Sequence, residues 1–172
     1  SNKDDIIEKH VLYKDRLREI RAEQRKGAEA NMEVLNRALE EGFMLWQKAY
    51  AAAPAADGRR ADHFEDGINF YNLKFSMQTD TAEMEKTVEA IMDLYDKRAE
   101  CYGEDGYIYG RKGFDYFYKY STFATDMEKY ELLKKSIDID QDTAQYFILN
   151  PMTALLSNLV IEEKITQEEG QK

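Results

Sequence analysis

Met32, Leu35, Leu39, Phe43, Trp46, Tyr50 and Ala53 follow one another at intervals of three and four residues. That spacing puts them on one stripe of an α-helix about six turns long. Asn36, Arg37, Glu40, Gln47 and Lys48 fall on the other side of it. Pro54 stops this helix, since proline lacks an amide hydrogen and its ring collides with the preceding turn; a loop is expected from Ala55 to Arg60. A thinner stripe, Ile6, Tyr13, Leu17 and Ile20, runs through the charged segment 4–26 before it. So narrow an apolar face predicts a peripheral helix, lying against the domain rather than inside it.

A third helix is expected over roughly 61–77. Thr79-Asp80-Thr81 then supplies a cap, with Glu83 and Glu85 as first-turn acids, for a fourth helix lined by Met84, Val88, Ile91, Tyr95 and Tyr102. Gly103 is a natural stop. A fifth helix is expected over 106–120, and a sixth, capped near Thr125 and Asp126, carries Tyr130, Leu133 and Ile137. After the polar run Asp138 to Asp142 comes a last apolar segment, where Asn150-Pro151 can serve as cap and first helical residue or as a kink. Residues 166–172 are polar and expected to fray. These signals add up to an all-α fold of about seven helices in one domain, 1–172, with a body over 31–165.

Two of the helices repeat a local pattern. His63-x3-Gly67-x2-Phe70 recurs as Tyr109-x3-Gly113-x2-Tyr116, and each is followed by a loop with Thr and Asp and then by Met-Glu-Lys. A glycine between two large residues on one face lets a partner helix approach closely. Large-x3-Gly-x2-aromatic resembles the first helix of a tetratricopeptide repeat, and Gly42-x3-Trp46 with Pro54 eight residues on resembles the second helix of another. The stretch Asp93-Leu94-Tyr95-Asp96-Lys97-Arg98, Tyr102-Gly103 and Tyr109-Gly110-Arg111-Lys112-Gly113 is similar to a group of tetratricopeptide-like proteins from Bacteroidetes, usually exported and of unassigned function. The resemblance implies antiparallel helix pairs stacked as a right-handed α-solenoid, and an exported protein of the periplasm or cell envelope. Gly67 and Gly113 are 46 residues apart, against a period of about 34 in standard repeats. Asp66 and Lys112 stand where the family has leucine. An irregular stack is therefore expected.

Composition narrows the function more than the fold. With 172 residues, 43% of them hydrophobic, the chain can bury a sizeable core although 34% is charged. A net charge of -10 argues against a nucleic-acid partner, which would need clustered Lys and Arg, and against an anionic membrane surface. No apolar run approaches the roughly 20 residues of a membrane span. The single cysteine, Cys101, leaves the redox compartment open. Ser1-Asn2 reads as a tag-cleavage remnant, so a signal peptide would lie outside the sequence.

Candidate chemistry is sparse. His10 and His63, the only histidines, have no partner at metal-ligand spacing, and a structural role is expected for His10. Asp138-x-Asp140-x-Asp142 opens like a calcium loop but has Thr143 at the glycine position and Leu149 at the glutamate position. Gly103, Gly106, Gly110 and Gly113 match no phosphate-loop spacing and follow no predicted strand. No cofactor, metal or catalytic residue is assigned, and the chain reads as a non-enzyme.

The remaining feature is aromatic. Residues 102–123 hold nine aromatics, which exceeds what one packing face uses. Tyr109, Tyr116 and Tyr120 share the face of Gly113, while Tyr107, Arg111, Phe114, Phe117 and Tyr118 point elsewhere; Phe64, Ile68 and Tyr71 repeat this on the matching helix. In tetratricopeptide proteins that second face lines the concave groove that receives peptides. The expected function is a protein-interaction scaffold whose groove, lined by those eight residues, takes a segment of another protein of unknown identity. The alternative is a helical small-ligand domain or an enzyme using carboxylates and tyrosines in an inter-helix pocket. Burial of the aromatic side chains by the chain itself would remove the groove, and a deep pocket with convergent carboxylates would favour the alternative.

Overall fold

The computed structural model describes residues 2–55, 58–166 and 168. Among them are seven α-helices and no strand: α1 (Asn2–Gln24), α2 (Met32–Ala52), α3 (Asp62–Met77), α4 (Thr81–Tyr102), α5 (Asp105–Tyr118), α6 (Asp126–Asp140) and α7 (Leu149–Ile161). Short 3₁₀ turns stand at Gly27–Glu29, Ser121–Phe123, Gln141–Thr143 and Tyr146–Ile148. Of the expected loop after Pro54, Ala56 and Asp57 lie outside the described residues, as does most of the terminal stretch read as frayed.

Local chemistry sets the boundaries. The Asn31 side chain accepts from the backbone N–H groups of Glu33 and Val34, at 3.0 and 3.3 Å, and so satisfies amides that α2 cannot pair internally. Asp80 does the same for Glu83 at the start of α4, at 2.9 Å. Thr125 and Glu128 form a reciprocal capping box on α6. At α7 the helix starts at Leu149, so Asn150 is not the cap; Pro151 sits in the first turn, where no intrahelical amide bond is lost. Gly103, at φ 68°, ends α4 in the left-handed conformation.

Residues 1–94 and 95–172 form two compact units, the division falling inside α4. The sequence reading of one domain over 1–172 did not separate them. In the first unit α1 packs on α2 and α2 on α3. Tyr13, Leu17 and Ile20 of α1 are at most 3% exposed, so the thin stripe expected at 4–26 is the side that packs, while most other positions of the helix are exposed or half-buried. The stripe looked thin because part of the buried face is polar and is paired internally (below) rather than apolar. Trp46, the only tryptophan, stacks on Tyr50 at 5.3 Å and meets Phe43 at 5.4 Å, while its indole N–H donates to the His63 carbonyl at 2.7 Å. Gly67 lies under that indole, and a Cβ there would come within 2.7 Å of Trp46 Cε2.

In the second unit α5 packs on α6 and α6 on α7. Tyr130, Leu133, Ile148, Leu155 and Leu159 form the core cluster. The face of α5 that meets α6 carries Gly106, Gly110 and Gly113; a Cβ at 110 would meet Ser136 Oγ at 2.8 Å, and one at 113 would meet Leu133 Cδ2 at 2.6 Å. These are close-approach positions, as the spacing of Gly113 from its flanking tyrosines suggested. Asp140, from the segment that opened like a calcium loop, lies against Gly106.

Candidate functional sites

The eight residues expected to line a groove divide between the two units. Phe64 and Ile68, 0% and 6% exposed, belong to the core of the first unit and line no open surface. The offset between these two and the half-buried Tyr71 turns them inward, where Tyr50 meets Phe64 at 5.5 Å edge to face. Tyr71 itself packs edge-on against Phe43 and Trp46. The groove as drawn from the sequence is therefore corrected on this helix.

The α5 members stay together. Phe114 contacts Tyr118 with centroids 4.6 Å apart, and Phe117 contacts the same ring at 4.8 Å. Tyr118 is 53% exposed, whereas Tyr107, Phe114 and Phe117 are half-buried. Part of their cover comes from the 3₁₀ turn Tyr146–Ile148: Phe147 meets Phe114 at 5.4 Å and Tyr107 at 6.1 Å, both edge to face. The Arg111 guanidinium lies over Phe114 and Phe147, at 5.2 and 5.3 Å, with one nitrogen 3.2 Å from Asp115. Such a short turn carries no periodic pattern, so its cover over α5 could not be read from the sequence.

A second site joins residues that the sequence reading kept apart. His10 on α1 and His63 on α3, 53 residues apart, are joined directly: His10 Nδ1 is 3.0 Å from His63 Nε2. Tyr13 Oη stands 2.9 Å from the same His10 nitrogen and donates to Asp66 Oδ2 at 3.0 Å. Asp66 also takes the Lys14 ammonium at 2.5 Å. At the far end His63 Nδ1 is 2.7 Å from the Ala53 carbonyl.

Proton positions follow from the partners. A carbonyl only accepts, so His63 carries its proton on Nδ1 and presents a lone pair at Nε2. His10 must then donate from Nδ1. Its own Nε2 is left with a lone pair and no partner among the described residues. Burial lowers the His10 pKa from 6.5, and the nearby His63 and Lys14 lower it further against Asp66 and Asp62. Burial, followed by the Asp66 charge, pushes the Tyr13 phenol up, so that it stays a donor.

His10 also lines a cleft of about 440 Å³ together with Lys14, Arg18 and Arg21 of α1 and Arg60, Asp62 and Asp66 around the start of α3. Four cations face two carboxylates there, although the chain as a whole is strongly acidic. The carboxylates are paired, Asp66 with Lys14 and Asp62 with Arg60 at 3.7 Å. This is not a like-charge carboxylate dyad. One sequence signal could have revealed the cleft: His10, Lys14, Arg18 and Arg21 recur at helical spacing along one side of α1.

The lowered His10 pKa has a consequence for stability. The folded state holds His10 neutral below the pH at which the unfolded chain protonates it, so its contribution is complete above about pH 6.5 and is lost as pH falls through the lower folded value. Urea midpoints are expected to fall between pH 7.5 and 5.5. Over the same range ¹⁵N-detected imidazole spectra should show His10 and His63 as Nδ1–H tautomers at the upper end. A pair of Nε2–H tautomers at pH 7.5 would contradict the network.

Among the described residues no group of three or more His, Cys, Asp or Glu stands close enough to hold a metal ion, and no helix is long and apolar enough to cross a membrane. No family model, curated protein or solved structure matches this chain.

Proposed function

We propose that this chain is a non-catalytic binding domain, its helix pairs stacked antiparallel in the tetratricopeptide-like manner, that receives a segment of another protein on the α5 aromatic face. The observation that carries this reading is Tyr118, 53% exposed at the edge of a ring cluster with Phe114 and Phe117 beneath it. A rigid, amphipathic ring over a half-buried apolar floor, with an arginine at its margin, has the composition of an interface hot spot. The contact surface comprises Tyr107, Arg111, Phe114, Phe117 and Tyr118, with Phe147 added and Phe64, Ile68 and Tyr71 removed.

Tyr118→Glu tests it, because the exposed position tolerates the change with about 0.5 kcal/mol or less of stability lost. Proteins captured from the source cell on the wild-type chain would be identified, and their affinities measured for both forms. A partner of this face should bind the variant about 30-fold more weakly, as expected for a hot-spot tyrosine. A partner that binds both forms equally, or no partner specific to the wild type, would sink the reading.

A further inference from the structure

The cleft beside His10 has features that the aromatic face does not use, and it lies wholly within the first unit. We propose that it binds the phosphate group of a small phosphomonoester, with Arg18, Arg21 and Arg60 holding the oxyanion and His10 Nε2 sharing its proton.

Charge is the first support. Lys14 is engaged by Asp66, and Arg18 by Asp15 at 2.5 Å, but the Arg21 side chain has no hydrogen bond or ion pair among the described residues. The cationic side of the cleft thus exceeds its carboxylates, and planar guanidinium forks match the geometry of an oxyanion. Repulsion from the remote acidic surface is screened beyond about 8 Å at physiological ionic strength, so the local charge decides binding.

His10 selects among anions. The hydrogen-bond chain from the Ala53 carbonyl through His63 fixes the His10 proton on Nδ1 and leaves Nε2 as an acceptor on a residue of a cleft where four cationic side chains stand with two carboxylates that are already paired. A carboxylate, ionised well below neutral pH, brings no proton to that nitrogen. A phosphate group has a second ionisation near pH 6, close to that of histidine, and one proton can be shared between the two. The groups facing His10 are Tyr13 and Lys14 on its own helix and His63, Asp62 and Asp66 on α3. A bound dianion adds to the two carboxylates and draws a proton onto Nε2. About 440 Å³ exceeds a bare phosphate and suits a small organic body, with Val11 and Leu17 at the wall.

Calorimetry on the whole chain with inorganic phosphate, glycerol phosphate and succinate distinguishes the sources. Saturable binding is expected for both phosphates, tighter for glycerol phosphate, with proton uptake at pH 7 seen as a dependence on buffer ionisation heat. Arg18→Ala/Arg21→Ala should weaken binding about tenfold or more while leaving the melting temperature close to wild type, because both arginines sit on an exposed helix face. Three results would overturn the proposal: no saturable binding up to about 10 mM, equal affinity in the double variant, or succinate bound as tightly as the phosphates. The cleft shares no residue with the α5 face, so failure of either reading leaves the other standing.

Discussion

Gly67→Ala is expected to destabilise the first unit by about 2 kcal/mol, against the usual gain from replacing a helical glycine. Two effects oppose each other at this position. Alanine in the middle of a helix gains about 1 kcal/mol over glycine through backbone entropy. Its Cβ, however, would lie 2.7 Å from Trp46 Cε2 and 3.0 Å from Leu94 Cδ1. The indole has nowhere to move. It is 3% exposed, tied to the His63 carbonyl, and flanked by the rings of Phe43, Tyr50 and Phe70. Overpacking of a fixed ring therefore wins. Trp46→Ala alone should cost about 4 kcal/mol, the range for emptying a large aromatic site. In the Gly67→Ala/Trp46→Ala double variant the added methyl no longer meets an indole, so the two losses should combine less than additively, by about 1 to 2 kcal/mol. Urea unfolding followed by circular dichroism measures all three. A stabilised Gly67→Ala variant would mean that α2 and α3 do not approach as closely as described. Gly113→Ala should also be destabilising, because its Cβ would meet both Cδ2 and Cγ of the fully buried Leu133, at 2.6 and 2.8 Å.

Those two glycines show what the chain makes readable. Apolar spacing announced α1, α2, α4 and α6, and the large-x3-Gly-x2-aromatic pattern announced that Gly67 on α3 and Gly113 on α5 are packing positions. Both signals are local and periodic. The polar interior of α1 was hidden because His10 and Tyr13 find their partners on α3, more than fifty residues away, and no spacing records such a pairing. Phe64 and Ile68 match α5 in pattern, which suggested a surface, yet they occupy the core side of α3. Phe147 covers α5 from a turn of three residues, too short for any period. The basic stripe of α1 was the one missed feature that is periodic. Judged by apolar positions alone the helix looked weak, whereas its cations at 14, 18 and 21 carry the stronger pattern.

Asp115→Ala should destabilise the second unit by about 4 kcal/mol, the range for removing one side of a buried charge cluster. Asp115 is 0% exposed and takes three partners: the Tyr95 hydroxyl at 2.8 Å, Arg111 at 3.2 Å and Lys119 at 3.1 Å. Lys119 reaches solvent, so its ammonium can be rehydrated when the carboxylate goes. Tyr95, 3% exposed, cannot, and its hydroxyl would be left as an unsatisfied buried donor. Asp115→Asn keeps an acceptor for Tyr95 but gives up the charge, and about half the loss is expected. Tyr95→Phe in the Asp115→Ala background removes the stranded hydroxyl, so the double variant should be more stable than Asp115→Ala alone. The same hydroxyl gives a pH signature. Burial, and then the Asp115 charge, raises the Tyr95 pKa above its ordinary value of 10. The folded chain therefore holds a phenol that the unfolded chain ionises, and stability is complete below about pH 10 and lost as pH rises above it. Tyr95→Phe should reduce that alkaline loss, leaving the part that belongs to Tyr13. Asp115 also orients Arg111, whose guanidinium lies over Phe114 and Phe147. In Asp115→Asn, still folded, the arginine is released from its anchor, and a partner bound at Tyr118 should lose affinity along with it. An Asp115→Asn chain that binds like the wild type would show that Arg111 and its salt bridge serve the fold alone.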